Sequence, residues 1–253
     1  MNRILVSSFF LLFSLSAFSQ SQSVLKDSVV SFSMLHIHYG LNLPLADMSD
    51  RFGLSNSLGA GFGVKTQKNV VIGLEGSYLF SRNVKETDML ENITGETGSL
   101  ISASGLLATY TFSQKGFSLQ LQGGKIIPFK KPNINSGLMV LLGAGYLQHK
   151  IGIEVNDNEA PMLSKEYKKG YDRLTNGFML TQFIGYFFVD SKHKRINCYA
   201  GVEIMEAFTK NRRSWNYDEQ RKDDNVRKDI FVSIKFGWVI PFYRSQTEKF
   251  YYY

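Results

Sequence analysis

Over residues 230–242 the chain alternates with a period of two. Ile230, Val232, Ile234, Phe236, Trp238, Ile240 and Phe242 fall on one face, and Phe231, Ser233, Lys235, Gly237, Val239 and Pro241 on the other. Successive side chains of an extended strand point to opposite sides. One face is therefore built for hydrocarbon, and the other carries small or charged groups. The split recurs upstream. Leu58, Ala60, Phe62 and Val64 oppose Ser57, Gly59, Gly61, Gly63 and Lys65, and Val70, Ile72, Leu74, Tyr78 and Phe80 oppose Gly73, Glu75 and Ser77. Phe117, Leu119 and Leu121 oppose Ser118, Gln120 and Gln122, and Ile196, Cys198, Ala200, Val202 and Ile204 oppose Asn197, Tyr199, Gly201 and Glu203. Segments 31–42 and 137–153 follow the rule less cleanly, and 178–189 is too apolar for its faces to be assigned. The pattern predicts about eight strands, the weak per-segment signature of a membrane barrel.

The joins between these segments alternate in length. Gln67-Lys68-Asn69, 130–136 and 191–195 are short and turn-rich, whereas 44–56, 84–116, 154–176 and 211–228 are long. A barrel with short periplasmic turns and long external loops has this order. A water-soluble eight-stranded ligand-binding barrel would also alternate, but with its apolar face inward and many Lys and Glu outward. Here the second face is mostly glycine and serine, which suits a narrow lumen. A β-sandwich gives no reason for strictly alternating loop lengths. The expected fold is thus all-β, a closed antiparallel transmembrane barrel.

The first residues read as an export signal. Arg3 precedes an apolar and serine run over 4–16, and Ala17-Phe18-Ser19 offers small residues around a cleavage point. That run falls short of the ~20 residues a spanning helix needs. We expect a signal peptide over 1–19, cleaved near Ser19, and one barrel domain over 20–253 in the outer membrane. No cysteine lies near that point, and Cys198 is the only one in the chain, which excludes a lipoprotein anchor and an internal disulfide framework. The formal charge of +7 points, in an exported chain, to anionic lipid headgroups and lipopolysaccharide rather than nucleic acid.

The stretch LNLPLADMSDRFGLSNSLGAGFGVKT at 41–66, LQHKIGIE at 147–154, KEYKKGYDRLTNGF at 165–178 and the ending KFGWVIPFY…KFYYY resemble small, porin-like outer-membrane β-barrel proteins of the Bacteroidota. The resemblance covers essentially the whole mature chain. It implies fold and location, and supplies no catalytic residues.

Charges on the expected inner face are Lys65, Glu75, Glu203 and Lys235. An unpaired charge in a narrow barrel is costly, so Glu75 and Glu203 are expected to meet Lys235 or Lys65 beside Gln120 and Gln122. The bland reading is a polar plug; the functional one is a gate or proton path. His36 and His38 share a face two residues apart, a spacing that two imidazoles on one metal would use. With no carboxylate or third histidine evident beside them, and His149 and His193 on other elements, they read better as hydrogen-bonded interior groups. No metal or cofactor is expected. No nucleophile elbow or compact His-Ser-Glu spacing stands out, so the chain reads as non-enzymatic, with a lipid-A-modifying enzyme as the outlying alternative.

The loops hold the remaining candidates. Tyr167, Lys168, Lys169 and Arg173 in one, and Arg212, Arg213 and Trp215 in another, mix the residue types that anchor interfaces and grip phosphates. A merely solvated rim fits equally well. The tail Phe250-Tyr251-Tyr252-Tyr253 suits an inner interface or a recognition signal for insertion. The sequence thus favours a barrel that serves as scaffold or binding protein through its outer loops, with a narrow solute passage as the alternative.

Overall fold

The computed structural model describes residues 29–95, 98–129, 133–156, 161–190 and 197–243. The expected signal segment, His193 and the aromatic tail lie outside them.

The described strands are β1 (Phe32–Ala46), β2 (Ser55–Lys65), β3 (Val70–Ser81), β4 (Leu100–Ile101), β5 (Leu107–Pro128), β6 (Gly137–Asn156), β7 (Thr175–Val189), β8 (Asn197–Asn211) and β9 (Val226–Tyr243). A five-residue helix, α1 (Asp47–Arg51), follows β1. The sheet runs β3-β2-β1-β9-β8-β7-β6-β5, and β3 pairs with β5 to close the ring. Eight antiparallel strands thus form the barrel, and β4 adds two residues to the upper part of β5 outside it. Phe32 stands opposite Tyr243, so β1 begins and β9 ends at the same rim, here called the lower one. The β2–β3 turn shows how tight the lower joins are. Asn69 takes φ 58°, a left-handed conformation that asparagine tolerates, and its N–H closes onto the Thr66 carbonyl at 3.0 Å.

The outer surface of the ring is an apolar belt. Ile37, Phe62, Ile72, Leu121, Leu142, Ile184 and Ile234 all point outward and are exposed, as side chains meeting lipid are. Aromatic rings flank it. Tyr78 stacks on Phe80 and Phe117 packs against Tyr146 toward the upper rim, while Phe129 stacks on Tyr186 toward the lower. This is a transmembrane β-barrel of the outer-membrane kind. Segment 178–189, whose faces the alternation left open, places Met179, Thr181, Phe183 and Phe187 inward and Phe178, Leu180, Ile184 and Tyr186 outward.

Two expectations need correcting. Strand β5 starts at Leu107 and β6 runs to Asn156, so the loops expected over 84–116 and 154–176 are shorter than the sequence implied. Above the ring these two strands continue as a ribbon, with Thr109 opposite Asn156 and Ser113 opposite Gly152. Alternation is inverted there, which hid it: Ala108, Tyr110 and Phe112 face inward, and Thr109 and Thr111 face out. The interior, too, is less glycine- and serine-rich than expected. A lower apolar cluster holds Phe32, Met34, Ile126, Phe183, Phe187 and Val239. An upper one joins Met179, Met205 and Phe231 in the barrel to Met48, Phe52, Leu90, Leu100 and Leu163 from the cap. A lumen too narrow for bulk water has no need of polar lining except where charge is already present.

Candidate functional site

Between the apolar clusters lies a polar tier. Glu75 on β3 is its hub, 2% exposed. One carboxylate oxygen accepts hydrogen bonds from Lys235 Nζ and from Gln120 Nε2 (2.9 Å). The other meets His36 Nε2 at 3.1 Å and His38 Nδ1 at 3.7 Å, and accepts a longer bond from Gln122 (3.4 Å). Lys235 also donates to Glu203 Oε2 at 2.8 Å, and Thr181 donates to Gln120 Oε1 at 2.7 Å. Local sequence makes room for the imidazoles. His36 and His38 stand opposite Gly61 and Gly59 on β2, where an added Cβ would strike each ring. Beside the tier is a cavity of about 20 Å3, bordered by His36, Glu75, Gln122, Tyr199 and Lys235.

The structure therefore brings Glu75, Gln120, Gln122, Glu203 and Lys235 together. Lys65 is elsewhere. Its ammonium donates to the Val30 carbonyl (3.0 Å) and to Asn135 Oδ1 (3.1 Å) and lies over the Phe32 ring near the lower rim. Face assignment gives a side chain's direction but not its height in the barrel. The expectation that no carboxylate neighbours the histidine pair was wrong for the same reason. Glu75 lies two strands away, and only the staggered register through β2 brings it level.

Higher in the lumen, Asp229 Oδ2 contacts His149 Nε2 at 2.9 Å and accepts a hydrogen bond from Thr209 at 2.5 Å. The hydroxyl and the imidazole both engage the acid. In a nucleophilic triad the base instead sits between nucleophile and acid, so this cluster lacks the contact that would activate Thr209.

The cap above the rim is braced by arginines. Arg173, 3% exposed, donates to Glu86 Oε1 (2.8 Å) and pairs two-pronged with Asp218, at 3.0 and 2.5 Å. Arg213 grips Asp172 in the same manner, at 2.7 and 2.5 Å. Arg51 of α1 reaches Thr175 at 3.1 Å and lies 3.4 Å from Glu86 and 3.8 Å from Asp223. Burial pushes the Asp223 carboxyl up, but the hydrogen bond and charge of Arg227 outweigh it and hold it below its usual range. Glu219 is lowered in the same way, burial being outweighed by the hydrogen bond from Arg221 and the charge of Arg173. Arg173 is thus an internal strut and Arg213 a part-exposed one, their acidic partners coming from distant loops. Tyr167, Lys168, Lys169, Arg212 and Trp215 remain at or near the surface, with Tyr217 6.4 Å from the Tyr167 ring. Arg51, Glu86, Asp172 and Asp218 escaped the sequence reading, for a charged loop residue looks the same buried or solvated until its partner is known.

No protein-family model matches the chain, and no curated protein does. Solved structures do. Neisserial surface protein A aligns over 83% of this chain and 97% of its own, with 10% identity and a TM-score of 0.44. Ail, the attachment invasion locus protein of Yersinia pestis, solved with the heparin analogue sucrose octasulfate, covers 83% and 99% at 12% identity and a TM-score of 0.41. The outer membrane protein OprG of Pseudomonas aeruginosa covers 86% and 99% at 12% identity and a TM-score of 0.36. The chain is similar to these in architecture.

Proposed function

We propose that the protein is a non-enzymatic, non-conducting outer-membrane barrel that acts as a scaffold or binding protein through its extracellular cap. The observation that carries this reading is the filled lumen. The cavity beside Glu75 measures about 20 Å3, room for a water-sized guest, and apolar clusters lie below and above it. A braced cap suits recognition, since loops held in place lose little conformational entropy on binding. Its contact residues are Tyr167, Lys168, Lys169, Arg212, Trp215 and Tyr217. A protein partner there, and export with cleavage near Ser19, belong to the same proposal, as does kinship with small Bacteroidota barrels.

Lipopolysaccharide is the second partner we propose. Basic side chains stand just above the upper aromatic rings: Lys115 two residues beyond Phe117, Lys210 two beyond Phe208, and Arg82 two beyond Phe80. Lys115 and Lys150 are direct cross-strand neighbours, and Lys150 lies 3.8 Å from Asp172. Lys115 also pairs with Glu154 at 2.5 Å.

Planar-bilayer recording tests the central reading. Purified protein should insert without unitary conductance; stable, reproducible steps would replace it with the narrow-passage alternative.

A further inference from the structure

The polar tier holds more carboxylates than ammonium groups. Among the described residues it holds two carboxylates, Glu75 and Glu203, and one ammonium, Lys235, all at most 6% exposed. Buried charge needs compensation, and the geometry shows where a further cation fits. His36, His38 and Glu75 each offer a ligand atom, and these atoms lie within 4.8 Å of one another. His36 Nε2 and His38 Nδ1 lie 3.1 and 3.7 Å from Glu75 Oε2. Ligands on a tetrahedral zinc at ~2.0–2.1 Å stand roughly 3.3 Å apart, so the two distances to Glu75 match such a site, and the imidazoles need shift little to complete it.

A second observation is independent of the spacing. His38 Nδ1 is buried and has no hydrogen-bond partner, while the other ring nitrogen meets Ser77 Oγ at 2.9 Å. An imidazole whose Nε2–H donates to a hydroxyl keeps its Nδ1 lone pair free, the arrangement that orients a metal-ligating histidine. Glu75 is divided in the same sense. One oxygen faces the histidines, and the other is held by Lys235 and Gln120.

We propose that this tier binds one divalent transition-metal ion, with His36 Nε2, His38 Nδ1 and Glu75 as protein ligands. Two imidazoles and a carboxylate suit a borderline ion such as Zn2+, and the adjoining cavity has room for a water as fourth ligand. The ion would fasten β1 to β3 across the glycines of β2. Packed apolar clusters on both sides imply loading while the barrel forms.

The test uses the whole mature chain refolded into detergent micelles with zinc chloride, passed through a weak chelating resin, and analysed for metal per chain. Only the species with heat-modifiable gel migration is counted. Wild type and His149→Gln should retain about one equivalent; His36→Gln, His38→Gln and Glu75→Gln should retain at least ten-fold less. Folded wild type holding under a tenth of an equivalent, or ligand variants holding as much as wild type, would overturn the proposal. Should a variant not fold, Co2+ in folded wild type decides alone. Visible absorption bands of a tetrahedral site support the proposal, and their absence refutes it.

Discussion

Strand β5 reads in opposite senses along its length. Below the rim Phe117, Leu119 and Leu121 face out and Ser118, Gln120 and Gln122 face in. Above it Ala108, Tyr110 and Phe112 face in, and Thr109 and Thr111 face out. Strand β6 does the same: Leu142 and Tyr146 point to lipid, whereas Ile151, Ile153 and Val155 point into the cap, opposite outward Lys150 and Glu154. One continuous ladder therefore crosses a change of solvent, and the backbone is indifferent to it. What changes is only which face meets water. The charged hub built around Glu75 and the apolar core built around Ile151 are answers to one geometry in two surroundings.

The sharpest way to break this comparison is to unbalance the inside of the membrane part. Lys235→Met leaves Glu75 and Glu203 without their cation and should cost about 3–5 kcal/mol, read from urea unfolding in micelles. Adding Glu75→Gln and Glu203→Gln should recover most of the loss. No recovery would mean that the tier is not an electrostatic unit.

The outside of the strand gives the next effect. Leu121→Arg places a charge at the middle of the lipid belt and should cost about 2–4 kcal/mol in a bilayer. Thr111→Arg, on the same face ten residues earlier, should stay within about 0.5 kcal/mol of wild type. Equal costs would place the membrane boundary wrongly.

Acid separates the two regions most gently. Asp223 and Glu219 titrate below their unfolded values, so the stability they lend the cap is complete above about pH 4 and is lost as pH falls further. Two tryptophans read the regions separately, Trp215 in the cap and Trp238 on the lipid face. Between pH 7 and pH 3 the emission of a Trp238→Phe variant, reporting Trp215, should shift to the red, while a Trp215→Phe variant should hold its spectrum. Simultaneous shifts would mean that cap and barrel unfold together.

The membrane part was legible because lipid enforces a strict code. Ile234, Phe236 and Trp238 must face out, so Lys235 between them must face in. The ribbon was not, because 107–116 follows the opposite code over a short stretch and reads as loop. Height was the other missing quantity. Lys65 and Lys235 carry the same signal, an inward lysine amid glycines or serines, yet one closes the lower rim and the other centres the tier. Strand stagger decides this, and no single strand encodes it. The struts Arg173 and Arg213 were hidden for a related reason, their partners Glu86 and Asp172 being 87 and 41 residues away in the chain.

The seam between β1 and β9 has a consequence for assembly. Every other neighbouring pair in the ring is consecutive in the chain or, for β3 and β5, separated only by the cap segment that carries β4. Seven junctions can therefore zip as hairpins, and a single one must join segments some 200 residues apart, with the greatest loop-closure entropy of all. Until Phe32 finds Tyr243 the sheet is an open ribbon with two sticky edges. A ligand that grips either strand at that stage holds the whole barrel ajar, and the seam is the place where such an inhibitor would be aimed.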